Sequence, residues 1–293
     1  MSAAWWLGLL LAILRLSVPY VTAALGGTLC ERAGVINIAL EGFLLISALG
    51  TALGAAHGAL AAVACGLAAG VAFAALYALM VVYFRGDQIV SGVALFMLAD
   101  GLSRVLLKAV YGSTSNSPRL AVLDGRGPAL FLLAALFLVV ALHILLSSSV
   151  LGLRLRSVGE HPQAARALGV SVLNVRVVAV LLSGLLTAIG GVYLVFEQRQ
   201  FVALMSGGRG FLALAAMIFG GWRPIPAAAA AVLFASAEAL GIKLQASDLH
   251  LPNFVLQALP YLLTLVALLA RGLLRGDAHG SGQAPAALGI PRD

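Results

Sequence analysis

A helix that crosses a bilayer needs about 20 consecutive apolar residues, and this 293-residue chain supplies such runs again and again. The clearest is GALAAVACGLAAGVAFAALYALMVVYF, residues 58–84, rich in the small side chains that let membrane helices approach closely. Hydrophobic residues make up 62% of the chain and mean hydropathy is +1.06, far above what a soluble domain carries. The runs are continuous rather than alternating, which selects helices over a barrel. The sequence therefore predicts an all-α polytopic membrane protein with eight or nine transmembrane helices.

The formal charge of +7 would suggest nucleic acid in a soluble protein. Here the arginines stand mostly at the ends of apolar runs, where they set orientation and meet lipid headgroups. No aromatic-basic surface for nucleic acid is present. Cys30 and Cys65 have no CxxC partner and read as small buried hydrophobes. The five histidines are scattered without ligand spacing, so no metal site is expected. No nucleophile–base pair marks an enzyme. Trp5 and Trp6 read as interfacial anchors of a retained membrane segment.

Along the chain, the first apolar run, about 3–30, is broken by Arg15 and Pro19. The fourteen residues before Arg15 are too few to span and are expected in the interface. Further spans are expected at 37–56, 58–84, 89–107, 129–147, 177–196, 224–242 and 254–270, with loops at 85–88 and 111–128. The segment FLALAAMIFG, 211–220, does not fit. Ten residues make about 15 Å of helix, half a bilayer. The 35–50 run is likewise interrupted, by Asn37 and Glu41-Gly42. Both follow a small-residue signature, AALGG at 23–27 and TAIGG at 187–191. This predicts two inverted repeats, about 16–110 and 177–270, with discontinuous helices at matching places along a substrate path. One permease domain is expected over 1–270, and a cytoplasmic, disordered tail over 271–293.

The stretch ERAGVINIALEGFLL, 31–45, is the most polar part of the greasy first half. A charge in hydrocarbon costs roughly 2.5–3.5 kcal/mol on insertion scales, so these groups must face protein or an interface. Glu31 and Arg32 are expected near an interface, paired and hydrated. Asn37 and Glu41 lie at i and i+4, on one helical face. They can line a path for a hydroxyl-rich solute. Alternatively, Glu41 caps freed backbone N–H groups or pairs with an arginine.

The polar insert 152–176 carries GEHPQAARALGV. Pro162 suits a first helical position, Glu160 stands ahead of it, and Gly169 suits a left-handed C-terminal stop. The result is a two-turn helix, too short to be stable alone, with an apolar face of Ala164, Ala165 and Leu168 flanked by Gln163 and Arg166. It is expected to dock on another protein.

Together, GEHPQAARALGV, ERAGVINIALEGF, DQIVSGVAL (87–95), LLSGLLTAIGGVYL (181–194), GRGFLALAAMIFGGWRP (208–224) and LPYLLTL (259–265) resemble, in order, the blocks of bacterial ABC importer permeases of the branched-chain amino acid, simple-sugar and nucleoside type. The likeness runs over about 15–270 and is nearest to the nucleoside permeases that work with basic-membrane-lipoprotein-type binding proteins. It implies that Gly159, Glu160, His161, Pro162, Ala164, Ala165 and Gly169 contact the ATPase. It implies that Asn37, Glu41, Gly42, Gly208, Gly210 and Phe211 lie beside the translocation path. The implied partners are ABC ATPase subunits, an extracytoplasmic solute-binding protein, membrane lipid and a second permease, a different chain or a second copy. The implied location is the bacterial inner membrane. Asp87 departs from the neutral polar residue the pattern expects. The chain has no GxxxxGK[ST] phosphate loop, so it holds no cofactor of its own and ATP would be hydrolysed by a partner subunit. A secondary transporter would share the repeat and the polar groups but would not need the docking helix.

Overall fold

The structure is a computed structural model that describes residues 3–120, 127–245 and 283–290, with five helical positions between 258 and 269. The expected 254–270 span, the 259–265 block and the rest of the tail lie otherwise outside the described residues. Ten α-helices are bounded among the described residues, in order: α1 Ala3–Arg32, α2 Leu40–Gly54, α3 Ala59–Ala78, α4 Gln88–Tyr111, α5 Gly127–Ser148, α6 Val150–Glu160, α7 Pro162–Ala167, α8 Val172–Gln198, α9 Arg209–Phe219 and α10 Pro224–Gln245. A 3₁₀ turn extends α2 to His57, and a π turn extends α3 to Tyr83. Seven of the described helices, all but α6, α7 and α9, are long and apolar enough to cross a membrane. The 11 residues of α9 make about 16 Å.

One fixed contact set shows the inverted halves. A methyl group on Gly26 would lie 2.7 Å from the Ser183 carbonyl oxygen, and one on Gly190 would lie 3.0 Å from Pro19 Cα. Gly26 and Gly190 are equivalent in the two halves at the same chain offset as Pro19 and Ser183. The α1–α8 contact is thus made twice, once from each side. It needs small residues because the two backbones lie so close. Helix α2 sits at the centre: 78% of its most apolar stretch is buried inside the protein, against 17% for α5.

Four sequence expectations change. Helix α1 runs unbroken through Arg15 and Pro19. Pro19 removes the N–H that would serve the Arg15 carbonyl, and the helix is held through that gap by the close packing of α8 on it, a methyl group on Gly190 lying 3.0 Å from Pro19 Cα, since neighbouring helices let a membrane helix tolerate proline. The insert 152–176 holds two helices rather than one. Ser149 caps α6, its Oγ accepting from the Gly152 N–H at 2.9 Å, and α8 begins at Val172 behind the Ser171 cap. Within the tail, residues 283–290 are ordered. The Ala287 N–H donates to the Gly159 carbonyl at 2.9 Å and the Gly289 N–H to the Gly34 carbonyl at 3.2 Å. The tail and the polar insert therefore share one face of the molecule, the parity read from the sequence. Cys65 is exposed, not buried, while Cys30 is buried; both are free thiols.

On the opposite face, the described part of the 111–128 loop pairs with the chain leaving α8. Ser117 N–H donates to the Phe201 carbonyl at 2.9 Å, and Ala203 N–H to Ser115 at 2.7 Å. An isolated antiparallel bridge joins Asn116 and Val202.

Candidate functional site

The polar patch of the first half holds the half-helix of the second. Glu41, in the first turn of α2, accepts from the Gly208 N–H through Oε1 at 2.8 Å and from the Gly210 N–H through Oε2 at 2.6 Å. These are orphan donors at the start of α9. A carboxylate there also meets the positive end of the helix dipole. A methyl group on Gly210 would lie 2.5 Å from the Glu41 amide nitrogen. Only glycine lets the two half-helix starts meet this closely. From this junction α2 runs toward the face bearing the 111–120 loop, and α9 runs toward the face bearing α6 and α7.

Asn37 is fully buried, and its Nδ2 donates to Ser183 Oγ on α8 at 2.9 Å, while its Oδ1 has no hydrogen-bond partner. Ser183 lies about 17 Å along α8 from its start at 1.5 Å per residue, which places the junction near mid-helix. The loop between α1 and α2 is pinned at Ile36. Its N–H donates to Gln88 Oε1 at 2.7 Å, and its carbonyl accepts from the Tyr77 hydroxyl at 2.6 Å. Asp87, whose role the sequence left open, is the α4 cap: its side chain accepts from the Val90 N–H at 2.8 Å. Gly42 packs on the α4 backbone at Phe96. Phe96 and Phe211 meet edge to face with centroids 5.7 Å apart, and Phe211 is 40% exposed. The sequence-predicted path residues Asn37, Glu41, Gly42, Gly208, Gly210 and Phe211 thus fall in one place.

Sequence reasoning missed the brace beside them. Arg209 opens α9, where a cation opposes the helix dipole. Glu238 of α10 answers it at 2.5 Å and also accepts from the Tyr20 hydroxyl at 2.8 Å. The signal was present: Glu238 is an acid inside an apolar run, and such a residue marks a pairing or functional position.

The far end of α9 is tied to the same patch. Trp222 Nε1 donates to Glu31 Oε2 at 2.6 Å, and Arg32 Nε donates to the Trp222 carbonyl at 2.7 Å. Glu31 is only 4% exposed. It is therefore not the hydrated partner of Arg32 that the sequence suggested. Burial drives it to the nearest strong donor, the indole N–H.

Arg32 also reaches Glu160 at the end of α6, at 3.9 Å. Pro162 occupies the first position of α7. Gly169, at φ +81°, ends the helix: its N–H bonds to the Arg166 carbonyl at 2.9 Å and the Val170 N–H to the Ala165 carbonyl at 3.0 Å. This is the paired-bond stop that a left-handed glycine permits. His161, Ala164 and Leu168 are exposed, Leu168 by 85%, and with Val150 and Leu153 they line an apolar groove. Ala165 points inward and is buried, so it anchors the helix rather than adding to its outer face. Gly159 has no room for a side chain because the Arg32 carbonyl occupies that space. Among the described residues, no cluster of His, Cys, Asp and Glu can hold a metal.

Residues 9–269 match the family of branched-chain amino acid transport system permease components. The guanosine ABC transporter permease NupQ of Bacillus subtilis is 36% identical, over 96% of this chain and 94% of its own. The nucleoside ABC transporter permease NupC of Lactococcus lactis is 34% identical, over 86% and 88%. A putative glucose ABC transporter permease of Haloferax volcanii, TsgC13, is 31% identical, over 84% and 80%. No solved structure gives a significant match. With the family match covering most of the chain and relatives aligned nearly end to end, the chain belongs to the branched-chain amino acid transport system permease family and is a multi-pass permease of an ABC transporter, not an enzyme.

Proposed function

We propose that this permease forms the translocation path of an ATP-driven importer for a small polar solute, a nucleoside or a simple sugar. An extracytoplasmic binding protein delivers the solute, in the bacterial inner membrane. The observation that carries this reading is the junction of α2 and α9, two interrupted helices that start together inside the protein. Discontinuous helices of inverted halves meet where transporters bind solute.

Relatives named for guanosine, nucleosides and glucose share uncharged, hydroxyl-rich cargo. The Phe96–Phe211 pair favours the nucleoside, since base–aromatic stacking contributes about 1–3 kcal/mol per base and a sugar has no such face. Glu41 is a positioning residue in this account. Both of its oxygens hold α9 backbone, so it shapes the path without binding cargo.

In the same reading, Glu160, His161, Pro162, Ala164 and Gly169 form the ATPase contact, while the buried Gly159 and Ala165 seat the segment on the permease behind them. ATP is hydrolysed by that partner, and a second permease, a different chain, completes the path. Glu160 and Arg32 relay ATPase movement to the end of α9.

The test is solute uptake by the complex reconstituted in vesicles, with Ala164→Arg in the exposed groove. Uptake should fail while the permease still inserts and the ATPase still hydrolyses ATP. Normal uptake by that variant would remove the coupling assignment. Proton-driven uptake by the purified chain alone would replace the whole reading with a secondary transporter.

A further inference from the structure

We propose that the tail segment 283–290 is a clip that fastens the coupling segment to the loop entering α2, so that displacement of one carries the other. This rests on the reading of residues 160–169 as the ATPase contact.

The segment crosses between two elements that are distant in sequence. Its Ala287 N–H bonds to the Gly159 carbonyl at 2.9 Å, and its Gly289 N–H bonds to the Gly34 carbonyl at 3.2 Å. Its Ala286 N–H donates to Glu160 Oε2 at 3.2 Å, and Arg176 of α8 donates to the Ile290 carbonyl at 3.3 Å. The Gly159 carbonyl lies in the last turn of α6, where carbonyls have no partner within the helix. The segment is folded for the task. A turn closes with Leu288 N–H on the Pro285 carbonyl at 3.0 Å and Ile290 N–H on the Ala287 carbonyl at 3.2 Å. Pro285 and Ala287 are buried, and Gly289 packs its backbone on Ile36.

Two features separate a clip from a plug. The segment leaves His161, Ala164 and Leu168 exposed, so it does not cover the groove where the ATPase would seat. The direct side-chain tie between the same elements, Arg32 to Glu160, spans 3.9 Å, too long for a hydrogen bond. The shorter bonds run through the tail. Beyond Gly34 lie Ile36, held by Gln88 and Tyr77, and then Asn37 and Glu41. Pulling on Gly159 through the clip therefore pulls on the start of α2.

The experiment uses the complete complex in vesicles, with Ala287→Arg and, separately, deletion of residues 283–293. In both, the ATPase should still copurify and hydrolyse ATP, while solute imported per ATP falls about tenfold, within the usual range for coupling between sites. Ala284→Arg, at an exposed position, should import normally. Unchanged import per ATP in the two clip variants overturns the proposal. So does a rise in import, which would make the segment a restraint, or loss of the ATPase, which would make it part of the docking surface. Ala164→Arg in the same assay separates the two readings: if it imports normally, the ATPase contact is misassigned. If it uncouples and Ala287→Arg does not, the clip alone is wrong. Hydrogen exchange of the Ala287 and Gly289 amides in the unmodified complex tests the docking without any variant. Protection is expected, and exchange at the rate of an unstructured chain overturns it.

Discussion

The two interrupted helices occupy equivalent places in the inverted halves, yet they are held in different ways. Helix α2 is supported largely by its own half, through Gln88 and Tyr77 on the loop ahead of it. Helix α9 is supported at both ends by the other half. Glu41 holds its start, and Glu31 and Arg32 hold its exit at Trp222. The symmetry of the α1–α8 contact does not extend to the caps. All four polar residues of the 31–41 patch reach across to the second half, with Asn37 on Ser183 as the fourth. The patch is a cradle, and α9 is the element it carries. A helix of 11 residues is marginal by itself, so the element that depends on borrowed caps is the one that can shift when those caps move.

That asymmetry can be broken at graded cost. The largest effects belong to the Arg209–Glu238 pair and to Glu41. Arg209→Met should destabilise the protein by about 2–4 kcal/mol, because the pair is partly buried and its cost falls between that of an exposed and a fully buried ion pair, while Arg209→Met with Glu238→Leu should recover most of the loss. Unfolding in mild detergent measures both, and equal losses in the single and double variants would show that the pair is no brace. Glu41→Ala leaves the Gly208 and Gly210 N–H groups without acceptors, at about 2–4 kcal/mol. Glu41→Gln keeps one acceptor oxygen and should cost about half as much, with uptake retained. Loss of uptake in Glu41→Gln at full stability would instead make the carboxylate a cargo ligand. The smallest effect is at the exit. Trp222→Phe removes one donor from Glu31, at about 1.5 kcal/mol, and should loosen the α9 end without touching α2. Hydrogen exchange that speeds up in both helices would erase the distinction.

Much of this was legible in the sequence because composition and length act locally. Continuous apolar runs give the spans, Pro162 and Gly169 give α7, and the ten-residue run at 211–220 announces a half-helix. What stayed hidden depends on partners far away in the chain. Glu31 looked like half of a local pair with Arg32, because nothing in the sequence places Trp222 beside it. Helix α1 looked broken at Arg15 and Pro19 because single-helix rules do not see the α8 backbone packed against Pro19. The tail looked disordered because Gly, Ala and Pro bury little surface of their own. The order of residues 283–290 comes from carbonyls offered by Gly34 and Gly159. Glu238 was visible as an acid in an apolar run, but nothing in the sequence places Arg209, 29 residues before it, at its side.

The central claim is that the α2–α9 junction lines the solute path, and Phe211 tests it most directly. In a Cys65→Ser background, with Cys30 left buried, Phe211→Cys in the assembled complex should react with a membrane-impermeant thiol reagent, and guanosine or glucose should slow that reaction. A thiol at position 211 that never reacts, or that reacts at the same rate with either solute at saturation while uptake stays intact, would contradict the account.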